Sequence, residues 1–414
     1  MLKGIKVSVS GKQLKGKRDF RHIKSNSFHV NSKLNDINRL GGNHFYEERI
    51  QRYLDRKPTP VTLSQLVKFG SNLTLQKILT AGRYVGQELT TRFAHRSRQM
   101  QLLPYRLMGQ PALLKRYEQH IESFYLLDSL PKIRTMDGNL QLLDICRQVS
   151  QIDHGSMTET VSNARQITEY RHKAEDPMIL DTLVRTLITS RLSRHVLADQ
   201  QRSLTEYWRG GKNRPNHVGT VRLNCTMHEA LLEAEAIART YLPDNAPLVE
   251  IEGSEDDLHY PFPYIWTHLI FPLGHLLINS MEGCLRNNVS APIKVTVGGT
   301  DDIITVRISD NGGGIDPRTE QNLWNFVSNQ IHSDKIGNAN LSGNPFYNLV
   351  YGDEISNDKT SVPTTSHLRL GLPLSKIYVD YWGGSLEICS IEGFGCDVSM
   401  KISRTGGIGE NLLL

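Results

Sequence analysis

The feature that most constrains the fold is a change of hydrophobic period near residue 207. Between residue 62 and about residue 204, apolar residues recur at spacings of three and four, as they do in amphipathic helices. Four long helical segments with short connections predict an antiparallel helical bundle. The stretch YWRGGKNRP at residues 207–215 interrupts this pattern. We therefore expect a helical domain to end there and a domain of another class to follow.

The next hundred residues mix strand and helix patterns. The stretches HVGTVRLNCT and APLVEIEG alternate as strands do, and IKVTVGG with DIITVRISD predicts a β-hairpin. Residues 226–242 are predicted to form a helix with Thr226 as its N-cap and Glu229 as the partner in a capping box. A longer helix is predicted for WTHLIFPLGHLLINSMEGCLRNN, residues 266–288. The mixture predicts an α/β domain.

Residues 316–366 are polar, rich in Gly, Asn and Ser, and weakly periodic. A loop of that length in a compact domain is either a functional lid or disordered. After it, LGLPLSKIYVDYWGG predicts a helix that Gly383 and Gly384 end, and SLEICSIEG and CDVSMKISR predict two closing strands.

These patterns divide the chain into four parts. Residues 1–57 are polar and irregular, and Pro58 and Pro60 mark the end of this segment. Residues 58–215 are the predicted helical-bundle domain. Residues 216–405 are the predicted α/β domain with its lid at residues 316–366, and residues 406–414 form a tail.

The positive charge of the chain is concentrated at its N-terminus. Residues 1–34 hold nine Lys or Arg and one acid, a net charge of +8, so the remaining residues sum to −3 of the total +5. An acid-poor, Ser-containing N-terminus favours a mitochondrial transit peptide, which would place the protein in the matrix. The alternative is a basic arm that contacts RNA or other nucleic acid.

Composition narrows the class of protein. Hydrophobic residues make up 38% and charged residues 22%, as in an ordinary soluble globular chain, and no run of eighteen apolar residues predicts a transmembrane helix. The five cysteines are scattered and form no CxxC pair. The sequence therefore predicts neither a zinc site nor a disulfide framework, and it favours a reducing compartment.

The stretch DNGGG, from Asp310 to Gly314, directly follows a predicted strand. A carboxylate at a strand end can accept a hydrogen bond from an exocyclic amine. Glycines let the backbone turn tightly and approach a flat ring or a phosphate closely. The alternative interpretation is a common turn after a strand.

The predicted helix at residues 266–288 holds His275, Asn279 and Glu282 on one face, at spacings of four and three. The amide oxygen of Asn279 suits Mg²⁺ beside phosphates. The alternative is a core helix with a few satisfied polar groups. A third motif is GLP at residues 371–373, which opens a helix, and helix N-termini with their preceding loops bind phosphate.

The order of these motifs resembles the GHKL ATP-binding fold: an asparagine-bearing helix, a strand with DNGGG, a long lid, a GLP helix and a hairpin containing IEGFGCD. With a helical bundle in front, the chain resembles the mitochondrial 2-oxoacid dehydrogenase kinases, both branched-chain and pyruvate members, over residues 60–405. Further stretches carry the resemblance, namely RYVGQELTTRFAHR, LLPY, LITSRL, THL, RISDNGGGI and LGLPLSKIYVDYWGGSLEICSIEGFGCDV.

The resemblance implies an α+β fold, with an N-terminal four-helix bundle followed by a GHKL (Bergerat) α/β-sandwich that binds ATP and Mg²⁺. It implies phosphorylation of a serine on the E1 subunit of a 2-oxoacid dehydrogenase complex, contact with the lipoyl-bearing core, and a homodimer formed through the nucleotide domain. It implies that Asn279 holds the metal. It implies a set of residues that bind the nucleotide: Asp310, Gly312, Gly314, Arg369, Gly371 and Cys396.

The chain departs from the family pattern at several positions. The family glutamate that acts as general base becomes His275, and loss of such a base costs about 10²–10⁴-fold in rate. Two lid glycines become His367 and Arg369, and Arg369 is expected either to clash or to pair with phosphate as a cation. The other replacements are Phe271 for a histidine, Ile278 for a lysine, Glu282 for an arginine and Cys396 for a threonine.

Two hypotheses follow from these departures. In the first, the chain is an active kinase with His275 in the position of the base. In the second, it is a catalytically inactive pseudokinase that serves as a structural or scaffolding subunit of a large mitochondrial assembly, for example a ribosome. His154, in QIDHG, is interpreted as structural in both.

Overall fold

The structure is a computed structural model that describes residues 48–153, 161, 164–165, 176–211, 215–327 and 370–413. His154, His367 and Arg369 lie outside the described residues, and so does most of the predicted lid. No helix in the described ranges is long and apolar enough to cross a membrane.

The first part of the chain is helical. Four long helices confirm the predicted helical region, and three shorter ones accompany them. In chain order the helices are α1 (Glu48–Leu54), α2 (Leu63–Gly70), α3 (Leu75–Gln101), α4 (Tyr105–Met108), α5 (Pro111–Asp128), α6 (Met136–Asp153) and α7 (Asp176–Trp208).

The helix starts have local causes. Thr62 and Gln65 form a reciprocal capping box at α2, and the Thr74 side chain accepts a hydrogen bond from the backbone of Lys77 at α3. Pro111 occupies the first turn of α5, where its missing N–H has no helical partner to lose.

Helix α1 corrects the prediction that residues 1–57 are irregular throughout. Ile50 is buried, and the ring of Tyr53 lies edge-on to that of Phe124 at a centroid distance of 5.5 Å. The helix has only seven residues, which is too short for a hydrophobic period to be recognised.

The bundle interior contains a buried ion cluster. The two carboxylate oxygens of Asp153 lie 2.9 Å from Arg116 Nη1 and 2.8 Å from Arg194 Nη2. Burial alone raises the pKa of Asp153, but the two guanidinium groups outweigh burial and hold that pKa well below its ordinary value. Asp153 is therefore ionised inside the bundle.

The second part of the chain contains two sheets. Three short strands form one sheet in the order β1–β2–β4. The larger sheet has the order β3–β5–β6–β8–β7, in which β3 and β5 are parallel and the other pairs antiparallel. The strands are β1 (His217–Val218), β2 (Val221–Cys225), β3 (Val249–Gly253), β4 (Phe262–Tyr264), β5 (Ile293–Gly299), β6 (Ile303–Asp310), β7 (Ser385–Ile391) and β8 (Gly395–Ser403).

Helices cover one face of the larger sheet. In β5, Ile293, Val295 and Val297 are buried while the alternate residues Lys294 and Thr296 are exposed. The covering helices contact one another in the order α8, α10, α12, and α10 also contacts β6. The helices of this part are α8 (Met227–Arg239), α9 (Glu255–His259), α10 (Trp266–Arg286), α11 (Pro317–Gln321) and α12 (Gly371–Tyr381).

The α+β fold class is confirmed, with a helical region first and a mixed sheet after it. The predicted hairpin is β5–β6, and Gly383 follows α12 with a φ of 71°. The short elements α9, β4 and α11 were not predicted. The domain boundaries near residues 57, 215 and 405 stay predictions.

The predicted capping box at α8 is half right. The Thr226 side chain accepts a hydrogen bond of 3.3 Å from Glu229 N. The Glu229 carboxylate does not complete the box, because it pairs with Arg222 Nη2 at 2.7 and 2.6 Å instead. A nearby guanidinium is a stronger partner for a carboxylate than a backbone N–H.

Candidate functional site

Asp310 ends β6 opposite Cys396 of β8. Its Oδ1 accepts hydrogen bonds from the backbone N–H groups of Gly312, at 2.9 Å, and of Cys396, at 3.3 Å. Among the described residues, none donates to its Oδ2. The carboxylate is partly exposed, so one oxygen is fixed by the backbone while the other remains available to an amine donor.

The glycine turn after Asp310 fills the space between α10 and the β7–β8 hairpin. A Cβ atom added to Gly312 would lie 2.8 Å from the carbonyl carbon of Gly283, so no larger residue fits there. Gly314 has a φ of 73° and lies against the backbone of Ile391. Asn287 Nδ2 donates to Gly312 O at 2.6 Å. The Asn287 side chain and the close approach of the glycine backbone hold the turn against the helix.

One face of α10 joins the two halves of the site. His275, Asn279 and Gly283 are four residues apart, so they follow one another along this face over about 12 Å. At one end Gly283 contacts Gly312 of the glycine turn. At the other end the His275 ring contacts Gly371, where an added Cβ would lie 2.7 Å from Nδ1. Asn279 lies between these contacts.

Asn279 is partly buried, and its Nδ2 atom is inaccessible to solvent and has no hydrogen-bond partner among the described residues. A buried polar group without a partner costs about 1–3 kcal/mol. Such a group is expected where a polar ligand completes the site. The side-chain amide is also the type of oxygen ligand that Mg²⁺ accepts, so the residue fits a metal held beside phosphates.

His275 is only 7% exposed, and burial lowers its pKa to about 4, so the imidazole is neutral near pH 7. Its ring lies edge-on to Phe271 at a centroid distance of 4.6 Å, and it also contacts Gly371. The protonation state suits a base, whereas the packing fixes the ring in one place. Glu282 is partly exposed, about 10 Å further along the helix axis.

Helix α12 begins at Gly371, and its N-cap residue Leu370 makes no side-chain cap. Leu370 therefore offers no side-chain acceptor to the first N–H groups of the helix, which are the groups that bind phosphate at helix N-termini. The structure brings together Asp310, Gly312, Gly314 and Cys396 in one cluster, and His275 with Gly371 in another. Arg369 lies outside the described residues, so its role stays a prediction.

Two family models match the chain. The model described as mitochondrial branched-chain alpha-ketoacid dehydrogenase kinase matches residues 60–222. The model described as histidine kinase-, DNA gyrase B-, and HSP90-like ATPase matches residues 270–406, which include the whole site.

The chain belongs to the mitochondrial 2-oxoacid dehydrogenase kinase family of the GHKL superfamily.

Full-length relatives are similar along most of the chain. Pyruvate dehydrogenase (acetyl-transferring) kinase 2, mitochondrial, of Saccharomyces cerevisiae is 26% identical over 87% of this chain and 85% of its own length. Pyruvate dehydrogenase (acetyl-transferring) kinase, mitochondrial, of Arabidopsis thaliana is 27% identical over 88% of this chain and 96% of its own length. Isozyme 3 of Homo sapiens is 25% identical, over 84% of both chains.

Three residues of this GHKL site were missed by sequence reasoning. Asn287 holds the glycine turn, as described above. Ser390 Oγ accepts from Ile315 N at 2.7 Å and from Cys396 Sγ at 3.5 Å. Cys284 accepts a backbone hydrogen bond from Asn311, and burial raises the pKa of its thiol, with Asp310 adding to the effect. All three act on backbone groups, which leaves no motif of side chains to recognise.

A separate cavity of about 1870 Å³ lies between the bundle and the first strands of the GHKL domain. Asp153 and Arg194 line it on one side, and Arg222 and Trp266 on the other. As bounded by the described residues, it includes neither Asn279 nor Asp310. The candidate nucleotide-binding residues Asn279 and Asp310 therefore lie outside this cavity.

Proposed function

We propose that this chain is a mitochondrial protein-serine kinase that uses ATP and Mg²⁺ to phosphorylate the E1 subunit of a 2-oxoacid dehydrogenase complex in the matrix. The observation that carries the proposal is the contact of Gly312 with Gly283, one turn from Asn279. It holds the strand end with the Asp310 carboxylate, for the adenine ring, beside the helix that carries the Asn279 amide, for the metal. The relatives' names support the substrate, since they describe kinases of pyruvate dehydrogenase.

Each residue has a role in this proposal. Asp310 accepts the exocyclic amine of adenine through Oδ2, while Cys396 and Gly312 hold Oδ1. Gly314 lets the backbone approach the ring. Gly371 presents the start of α12 to the phosphates, and Arg369 adds a cation there.

Asn279 would hold Mg²⁺, whose charge, when bound, offsets the negative charge of the phosphates. Mg²⁺ would bind the amide oxygen, whereas the buried nitrogen, which has no partner among the described residues, is a donor that a phosphate oxygen would satisfy.

His275 is the proposed base. It is neutral near pH 7, so it can accept the proton of a substrate hydroxyl. A pKa of about 4 makes it a weak base, and phosphoryl transfer depends chiefly on positioning and on charge stabilisation. We expect the transfer rate to be low rather than zero.

A second candidate function is an inactive nucleotide-binding subunit. The packing of the buried His275 ring against Phe271 and Gly371 favours it, because these contacts restrict rotation of the ring toward a substrate. In either case the proposed partners are the dehydrogenase complex or another mitochondrial assembly, with a homodimer formed through the GHKL domain and RNA contact by the basic N-terminus as further proposals.

The test is transfer of labelled phosphate from ATP to purified pyruvate and branched-chain E1, with ATP stabilisation measured by thermal shift with and without Mg²⁺. Asn279→Ala is the site variant, and Asn224→Ala, a partly buried asparagine on β2, is the matched control. Transfer that Asn279→Ala abolishes and Asn224→Ala retains supports the kinase. Stabilisation without transfer supports the inactive subunit. No stabilisation at millimolar ATP overturns both.

A further inference from the structure

Residues 404–413, the C-terminal segment, contact both domains through backbone hydrogen bonds. Arg404 N donates to Asp302 O at 2.7 Å in the GHKL domain. Further along, Glu410 N donates to Val61 O of the helical domain at 2.9 Å, and Asn411 N donates to Tyr381 O at 2.9 Å. The segment therefore joins the start of the bundle to the end of α12.

Glu410 is the buried centre of this contact, with a relative exposure of 3%. Its carboxylate accepts hydrogen bonds from both terminal nitrogens of Arg92. It also accepts from the Tyr381 hydroxyl and, at 3.2 Å, from Val61 N. A side chain at the end of the chain is thus bonded to α3, to α12 and to the segment before α2.

Arg92 extends the contact into the bundle. Its Nε donates to Glu88 Oε1 at 3.1 Å, and its Nη1 donates to the carbonyl oxygen of Ser193 in α7 at 3.2 Å. Burial lowers the pKa of Arg92, but Glu410 and Tyr381 outweigh it and the net shift is upward. The guanidinium is therefore charged, and Glu410 forms a buried ion pair with it.

Tyr381 connects this cluster to the nucleotide site. It is the last residue of α12, and Gly371, about 15 Å away along the same helix, is the residue that contacts His275. The next residue, Trp382, donates from Nε1 to His268 Nδ1 on α10 at 3.1 Å. Two hydrogen bonds thus hold this end of α12: one joins Trp382 to α10, and the other joins Tyr381 to Glu410 of the C-terminal segment.

We propose that Glu410 is a positioning residue for the nucleotide site: through Tyr381, the C-terminal segment holds α12 so that its N-terminus stays against the His275 face of α10. This inference rests on the nucleotide-binding part of the proposed function. Loss of the Glu410–Tyr381 hydrogen bond loosens the first turn of α12 and thereby weakens ATP binding. The effect is indirect, because Glu410 does not bond to Asp310.

Tyr381→Phe tests the inference because it removes only the hydroxyl and leaves Arg92 with Glu410. Glu410→Gln is the second variant. The matched control is Tyr117→Phe, whose buried hydroxyl accepts from Gln101 Nε2 at 2.8 Å inside the bundle. Two readouts are used: hydrogen exchange of the amides of residues 374–377, which are bonded within α12, and the dissociation constant for ATP.

We expect exchange at residues 374–377 to be about tenfold faster, and ATP binding about three- to tenfold weaker, in both site variants but not in Tyr117→Phe. Exchange needs no nucleotide, so it tests the positioning even if wild type fails to bind ATP. A Tyr381→Phe variant that loses thermal stability as Tyr117→Phe does, with exchange in α12 unchanged, would overturn the inference and leave Glu410 a purely structural residue.

Discussion

The bundle and the GHKL domain each hold a carboxylate away from full exposure to solvent, and the two carboxylates differ in how many of their oxygens have partners. Both oxygens of Asp153 are paired with arginines of the chain itself, Arg116 and Arg194. Asp310 has one oxygen bonded to two backbone N–H groups and a second that no described residue bonds. A carboxylate that the fold satisfies completely stabilises the fold. One that it satisfies by half, such as Asp310, keeps an oxygen for the ligand that we propose.

The same difference appears in the neutral groups. In the bundle, the Asn139 amide donates to Thr205 Oγ1 at 2.9 Å and accepts from Gln201 Nε2 at 2.7 Å. The Asn279 amide of the GHKL domain has a buried nitrogen with no partner among the described residues. Substitutions on the two sides should therefore separate loss of stability from loss of binding.

The largest effect is expected for Asp153→Asn. The substitution leaves two buried guanidinium groups without their carboxylate, which costs about 3–5 kcal/mol in the free energy of unfolding, measured by urea denaturation. The control Asp144→Asn removes an ion pair with Arg147 in which both side chains are more than half exposed, and it should cost at most about 1 kcal/mol. Equal losses in the two variants would contradict the role of the buried cluster.

The pH dependence has a defined sign for Asp153. Its folded pKa lies below the unfolded value of about 3.9, so its contribution is present above that pH and is lost as pH falls through the folded pKa. The variant should therefore differ most from wild type near neutral pH and converge with it in strong acid.

His275→Gln should give the next largest effect on the free energy of unfolding, and this effect should depend on pH. Burial lowers the folded pKa to about 4 from an ordinary value near 6.5. The neutral ring therefore supports folding above about pH 6.5, and this support falls by roughly 3 kcal/mol as the pH drops to about 4. The variant lacks this titration, so its stability relative to wild type should rise over that interval. A difference that is constant from pH 7 to 4 would show that the ring is not buried in the folded state.

Asp310→Asn should have the smallest effect on stability and a clear effect on binding. Asparagine keeps an Oδ1 that accepts from Gly312 and Cys396, but it replaces Oδ2 with a donor that cannot bond an amine. We expect ATP affinity, measured by titration calorimetry, to fall about 10- to 100-fold. The free energy of unfolding, measured by urea denaturation, should change by less than about 1 kcal/mol.

Asp397→Asn is the control for that variant, because Asp397 follows Cys396 on β8 and pairs with Arg307 on the partly exposed sheet surface. It should leave ATP affinity unchanged. A loss of affinity in this control equal to that in Asp310→Asn would indicate a general disturbance of β8 and not the loss of one acceptor.

Much of the site could be predicted because it follows strand and helix periods. The alternation in IKVTVGG and DIITVRISD predicts the hairpin β5–β6, and with it the position of Asp310 at a strand end. The spacing of His275 and Asn279 places them on one helical face. These are local properties, and local properties are what a period in the sequence encodes.

The rest depended on contacts between distant segments. The approach of Gly312 to Gly283 is set by packing of a turn on a helix, and no pattern in either stretch encodes it. The spacing of Thr226 and Glu229 predicts a capping box, and it cannot reveal that Glu229 pairs with Arg222, which lies on β2 outside the helix. The sequence predicts only a tail for residues 406–414. A single glutamate such as Glu410 gives no sign of a buried contact, because its partners Arg92 and Tyr381 lie far away in the sequence.

The distance along the chain between Arg92 and Glu410 has a consequence for how the protein is made. The two residues are 318 positions apart. At about 5–20 residues per second, a ribosome takes roughly 15–60 s to synthesise the acid after the arginine. During that interval the nascent bundle holds a cation whose acidic partner from the C-terminal segment does not yet exist. The Arg92–Glu410 pair can therefore form only after the C-terminal segment has been made, and until then Glu88 of the same helix is the acid that can pair with Arg92.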